Sequence, residues 1–210
     1  MAKPKKSSKE TLKWKKKKWV KIIAPKTFKS SPLGESLVMS PENLIGKTVQ
    51  SNLMTITGDM KKQNINVVFR VDNIEEGQAK TSLKSYSMIP SAVKRMIRRT
   101  RDRVDHSFTA TTKDGFTVRL KPILLTNNNT SHAVLSLLRK KTESLLTKHL
   151  SKTKLDDFVN DILAHKLQNE LKKQLKDIYP LKTCEMRAIE VVGGPKKTAD
   201  TKAKKAEAAA

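Results

Sequence analysis

The chain contains one cysteine, few aromatic residues and little acid. Cys184 alone cannot form an internal disulfide, so a reducing compartment is expected. Aromatic content of 4% leaves no room for the aromatic sheet signature of the common RNA-reading modules. No apolar stretch approaches the roughly 20 residues that span a bilayer. The first residues lack both the apolar core of a secretory signal and the arginine richness of a transit peptide, so a cytoplasmic location is expected. The sequons at Asn128 and Asn129 are then coincidences of a polar loop. Against 44 Lys+Arg stand only 20 Asp+Glu, a formal charge of +24 on 210 residues. Such a surface repels itself unless a polyanion neutralises it, and nucleic acid is the leading candidate, ahead of an anionic membrane.

Catalytic and metal chemistry is also missing. Gly46-Lys47-Thr48 matches the end of a phosphate-binding loop, but Pro41 stands where that loop needs its first glycine. His106, His132, His149 and His165 show no close metal-ligand spacing, and His149 is expected to be a packed, hydrogen-bonded helix residue, as His165 is a helical one. Asp156-Asp157 is read as a helix-start pair offsetting the dipole. Cys184 has no base partner and is read as an inert thiol. No catalytic residue, metal or cofactor is expected.

Three territories follow from composition. Residues 1–18 hold nine lysines and form a basic arm too polar to order itself. Residues 193–210 form a solvated tail, and 19–192 a single folded body. Within that body, strands are expected at 19–24, 48–57, 65–71 and 81–89. A hairpin is expected from 105–112 through Lys113-Asp114-Gly115 to 116–125. A basic helix is expected over 91–104, then a helical region over 131–179 and a final strand within 181–192. The fold class is therefore α+β, a small antiparallel barrel-like core with appended C-terminal helices.

Basic clusters carry the functional signal. Lys13, Lys15, Lys16, Lys17, Lys18 and Lys21 surround Trp14 and Trp19. Trp19 is expected to be buried in the first strand, while for Trp14 stacking on a base and a bystander role both stand. Lys94, Arg95, Arg98, Arg99, Arg101 and Arg103 place six basic groups within ten residues, offset by Asp102. Arginine's planar fork suits fixed phosphates of a folded RNA. Arg139, Lys140 and Lys141 form a third cluster, and the tail lysines add diffuse attraction. With no base-reading motif, binding should follow RNA shape and backbone and be strongly salt-dependent.

The order Trp19-Val-Lys-Ile-Ile-Ala-Pro25, Phe28, Ile45-Gly46-Lys47-Thr48, Thr111-Thr112-Lys113-Asp114-Gly115-Phe116, Arg119-Leu120 and Ile178-Tyr179-Pro180-Leu181 resembles the ribosomal S-one-e (S-three-A-e) family of archaea and eukaryotes. The likeness runs from about residue 15 to 192. It implies a structural, non-enzymatic constituent of the small ribosomal subunit, ribosome-bound on the platform near the messenger exit. It also implies contacts with small-subunit ribosomal RNA, including the region near its 3′ end, and with neighbouring platform proteins, without homo-oligomers or a membrane. On this reading Gly46 forms a turn and Lys47 an RNA contact. The stretch 29–43 looks longer than usual and the tail shorter than in eukaryotes, which favours an archaeal source. A free RNA chaperone or translation regulator is the rival reading, separable by whether the protein sediments with ribosomes.

Overall fold

The structure, a computed structural model, describes residues 17–75 and 77–194. Among them are nine strands and five α-helices in an α+β arrangement. Strand β1 (Lys18–Ile23) is followed by β2 (Pro32–Val38), β3 (Thr48–Asn52), helix α1 (Leu53–Thr57), β4 (Ile65–Glu75) and β5 (Gln78–Met88). Helix α2 (Pro90–Met96), β6 (Arg103–Asp105), β7 (Phe108–Thr111) and β8 (Thr117–Thr126) lead to α3 (His132–Lys152). Helices α4 (Leu155–Leu163) and α5 (Lys166–Leu175) then lead to β9 (Leu181–Gly193).

The nine strands form one sheet in the order β2-β1-β5-β9-β8-β6, with β3 and β4 continuing beyond β5 and β7 sharing an edge of β8 with β6. All pairings are antiparallel except the short one between β1 and the start of β5. Strand β5 organises the molecule: its first residues pair with β1, and Ser85–Ser87 pair with β9. The main core lies between the sheet and α3–α5 and includes Phe69, Leu120, Leu138, Leu146, Leu150, Phe158 and Ile162. Burying each such side chain is worth about 1.5–3 kcal/mol. A second, small core of Val20, Ile22, Val38, Leu44, Val71 and Ala79 holds β1 and β2 to the far end of β4 and β5.

Four local expectations are corrected. The strand expected over 48–57 stops at Asn52, whose side chain accepts from Met54 N–H at 2.9 Å and caps α1. Gly58, at φ 77°, closes that helix in a left-handed conformation. Strand β2 occupies part of the long 29–43 stretch, where no strand was expected. Its proline is the first residue of an edge strand, a position where a missing N–H is harmless.

The helix expected over 91–104 ends at Met96, and Val104 instead enters β6 opposite Leu124. The free edge of β8 and the ties of Asp102 outweigh helical periodicity here. Asp102 N–H donates to Thr126 Oγ1 at 2.9 Å, and its carboxylate accepts from Thr130 N–H at 2.6 Å. Finally, the strand expected over 105–112 is broken at His106-Ser107 into β6 and β7, both paired with β8.

The helical stretch divides into three. His165 was expected within a helix but is the joint between α4 and α5, with a left-handed φ of 56°. On α3 the buried positions are Leu135, Leu138, Thr142, Leu146 and Leu150, spaced by three and four. Thr142 is tolerated there because its hydroxyl donates to Leu138 O at 2.6 Å.

Candidate RNA interface

The basic residues fall into two regions at opposite ends of β5. Lys18 and Lys21 lie on β1, just after Lys17, and Lys21 pairs with Gln78 at the beginning of β5. Lys47 belongs to the same end. Its carbonyl accepts from Val71 N–H at 2.9 Å, and Gly46 N–H donates to Val71 O at 2.8 Å. Gly46, at φ 84°, makes a tight turn into a strand, whereas a phosphate-binding loop opens a helix. Lys13, Lys15, Lys16, Trp14 and the tail lysines lie outside the described residues.

The second region starts where β5 ends. The 11 residues from Gln78 to Met88 span about 30 Å of strand. Lys94 and Arg95 lie on α2, Arg98, Arg99 and Arg101 in the turn after it, and Arg103 on β6. The expected arginine helix is therefore a helix, a turn and a strand. Arg95 Nη2 donates to Asn64 Oδ1 at 2.8 Å. Arg103 Nε lies 2.9 Å from the Asp105 carboxylate, which Arg187 approaches at 3.8 Å. Lys94, Arg98 and Arg99 are exposed, Arg101 is half-buried, and these four form no ion pair among the described residues. Groups of this kind keep their full charge available for a polyanion.

The third cluster joins the second. The Asp102–Thr130 bond ties the arginine turn to the segment entering α3. Further along, His106 Nε2 lies 3.1 Å from the Glu143 carboxylate, and its ring stacks on Phe108 with centroids 5.3 Å apart. Arg139 sits one helical turn before Glu143, on the same side of α3. Arg139, Lys140 and Lys141 are exposed, and of the three only Arg139 shares the side of α3 that carries Glu143.

Two features escaped sequence reasoning. Lys61 lines a cavity of about 290 Å³ together with Asn64, Arg95, His165 and Glu185, an association no local pattern signals. Glu185 is held there with its Oε2 atom buried and unbonded, and burial pushes its carboxyl up to about 7. His165 Nδ1 lies 3.8 Å from that oxygen, and its imidazole is held below the usual range, first by burial and then by Lys62. Burial is the first cause of both shifts, and it opposes the charged form of each group. The second feature is Trp19. It was expected to be buried but is 67% exposed. Val20 and Ile22 take the inward positions of β1, and strict alternation turns Trp19 and Lys21 outward.

The Cys184 thiol is pushed up to about 12, chiefly by burial, which keeps it protonated and unreactive. Among the described residues no cluster of His, Cys, Asp and Glu could hold a metal. Nor is any described helix long and apolar enough to cross a membrane.

The ribosomal S3Ae family model matches residues 5–195. The chain belongs to this family. S3Ae members are ribosomal proteins, structural components rather than enzymes. The chain is similar to a small ribosomal subunit protein eS1 of Sulfurisphaera tokodaii, 31% identical over 183 residues that cover 87% of this chain and 95% of the relative. The eS1 protein of Desulfurococcus amylolyticus is 29% identical, over 83% of this chain and 82% of its own. That of Methanothrix thermoacetophila is 27% identical, over 85% of each. All three relatives are archaeal.

Proposed function

We propose that the protein is a structural constituent of the small ribosomal subunit, bound in the cytoplasm to small-subunit ribosomal RNA. The observation that carries this reading is the S3Ae match, which covers every described residue. The relatives' names agree with it, each being a small ribosomal subunit protein. In this reading the sheet and three C-terminal helices make one rigid body, and the lysines before Lys17 bind RNA. The body sits on the platform near the messenger exit, beside the 3′ region of the RNA and neighbouring platform proteins.

The RNA-holding residues are assigned by exposure and charge. Lys94, Arg95, Arg98, Arg99, Arg101, Arg103, Arg139, Lys140 and Lys141 form the larger contact, and Lys17, Lys18, Lys21 and Lys47 a separate one. Lys13, Lys15 and Lys16 extend the second contact along the arm. Because the arginine turn joins rigid elements, its guanidinium groups can be held in place to meet fixed phosphates.

Incorporation into subunits tests the assignment. Replacing Arg98, Arg99 and Arg101 with alanine should deplete the protein from sedimented small subunits while soluble folded protein remains. Wild-type levels in those subunits would remove this surface from the account. A native protein sedimenting free of ribosomes would instead favour an RNA chaperone or translation regulator.

A further inference from the structure

We infer that the outer face of β1 and β2, centred on Trp19, is a stacking platform for an unpaired RNA base. The inference rests on the RNA-binding reading above and adds a specific contact to it. An indole that is 67% exposed forgoes most of the burial that makes tryptophan favourable in a core. Its exposure follows from strand register, because Val20 and Ile22 fill the small core and leave Trp19 and Lys21 facing outward. Across the ladder Trp19 pairs with Leu37, itself 43% exposed, and Met39, 49% exposed, follows just after β2. Side chains paired in this way lie about 5 Å apart, close enough to form one continuous apolar floor.

The charge around this floor selects its occupant. Exposed Lys17 lies two residues before Trp19 and Lys21 two residues beyond it, whereas Lys18 belongs by alternation to the side of Val20 and Ile22. Successive same-face side chains on a strand are about 7 Å apart, which lets Lys21 reach a backbone phosphate beside a stacked base. Glu35, paired with Lys21, is the acid that faces them, and it works against a polyanion. A basic protein segment would be repelled by the lysines. A single-stranded RNA offers the combination the patch lacks, a flat π-face and negative charge, and every base has such a face.

Fluorescence and affinity together test this platform. The full chain carrying Trp14→Phe retains one indole, Trp19. Titration with a ten-nucleotide oligoadenylate should quench it. In the same background Trp19→Ala should weaken binding about 5- to 100-fold, and Trp19→Phe should retain most of the affinity. The salt slope should be unchanged in Trp19→Ala, whereas Lys21→Gln should reduce it by about 0.7. Glu35→Gln should tighten binding. The exposed site allows Trp19→Ala to fold, and its melting temperature checks that it has.

Affinity unaltered by Trp19→Ala, or an indole unquenched while RNA is bound, would overturn the platform and leave the wider RNA-binding reading intact. Quenching by an acidic peptide but not by RNA would assign the face to a protein and overturn it as well. Failure of the parent chain to bind RNA at all would sink both.

Discussion

The Asp114 carboxylate accepts a hydrogen bond from Leu155 N–H at 3.2 Å, joining the tip of a hairpin to the first turn of a helix 41 residues away. Beside it, Lys113 N–H donates to Thr153 O at 3.2 Å. Lys154, the residue preceding α4, supplies no side-chain cap, so the Leu155 N–H at the start of that helix relies on Asp114. Asp156 and Asp157 do lie in the first turn, as their sequence position indicated. There they complement the dipole, while the hydrogen-bonding cap comes from elsewhere in the chain.

Asp114→Ala should therefore destabilise the protein by about 1 kcal/mol, the usual worth of a lost helix cap. Asp114→Asn should lose less, since an amide oxygen can still accept. Chemical denaturation of both variants measures the difference, and equal stability of the alanine variant and the wild type would contradict the cap.

Glu185 gives the protein a specific pH response. Its carboxyl is raised by burial from an ordinary 4.5 to about 7 in the fold. Between those values the folded state keeps a proton that the unfolded state releases. This term therefore lowers stability as pH rises through the window, and its full penalty is present above about 7. Glu185→Gln should stabilise the protein at pH 8, by an amount of the order of 3 kcal/mol. Below pH 4.5 it should make little difference. Melting curves of the two proteins across this range should converge at the acid end, and parallel curves would rule out this titration.

The arginine cluster should separate into binding and structural members. Arg98→Ala/Arg99→Ala/Arg101→Ala should unfold at nearly the wild-type denaturant concentration, because these groups form no ion pair among the described residues. Arg103→Ala should cost about 0.5–1 kcal/mol, since it removes the closer of two cations from a partly buried Asp105. If the triple alanine variant proves the less stable of the two, the turn has a structural role that its contacts do not reveal.

Phe158 is fully buried in the main core, where its ring lies 6.1 Å from that of His149. Phe158→Ala should cost about 3–5 kcal/mol through lost burial and the cavity left behind. Loss of the cooperative calorimetric transition at physiological temperature is the expected readout. His149 packs near α4 as its place on the apolar stripe indicated, but the hydrogen bond expected of it is not made: Nδ1 is buried without a partner and Nε2 lies 3.9 Å from Asp161.

The outline of the fold was legible because period-two and period-3.6 patterns record which side of an element faces the core. The Asp114-Gly115 hairpin, the apolar face of α3 and the last strand were read that way and are present. Even the exposure of Trp19 was available from Val20 and Ile22, since a residue between lysines and an inward valine must point outward. Asn52 and Gly58 likewise mark the two ends of α1. These signals were local and were outvoted by β-branched composition.

Residues that meet only after folding were beyond any local pattern. Val104 fits a helical stripe, yet becomes a strand residue because Leu124 lies at an open sheet edge and Asp102 finds Thr126 and Thr130. The amino-acid sequence determined the positive charge and the alternation of β and α segments. These depend only on residue identity and near-neighbour spacing. Tertiary structure decided that the lysines of β1 and the arginines after α2 occupy opposite ends of β5, and that Glu185 is buried beside His165. Hydrogen-bonded pairing and desolvation depend on contacts between residues far apart in the chain, and such contacts exist only once the sheet has formed.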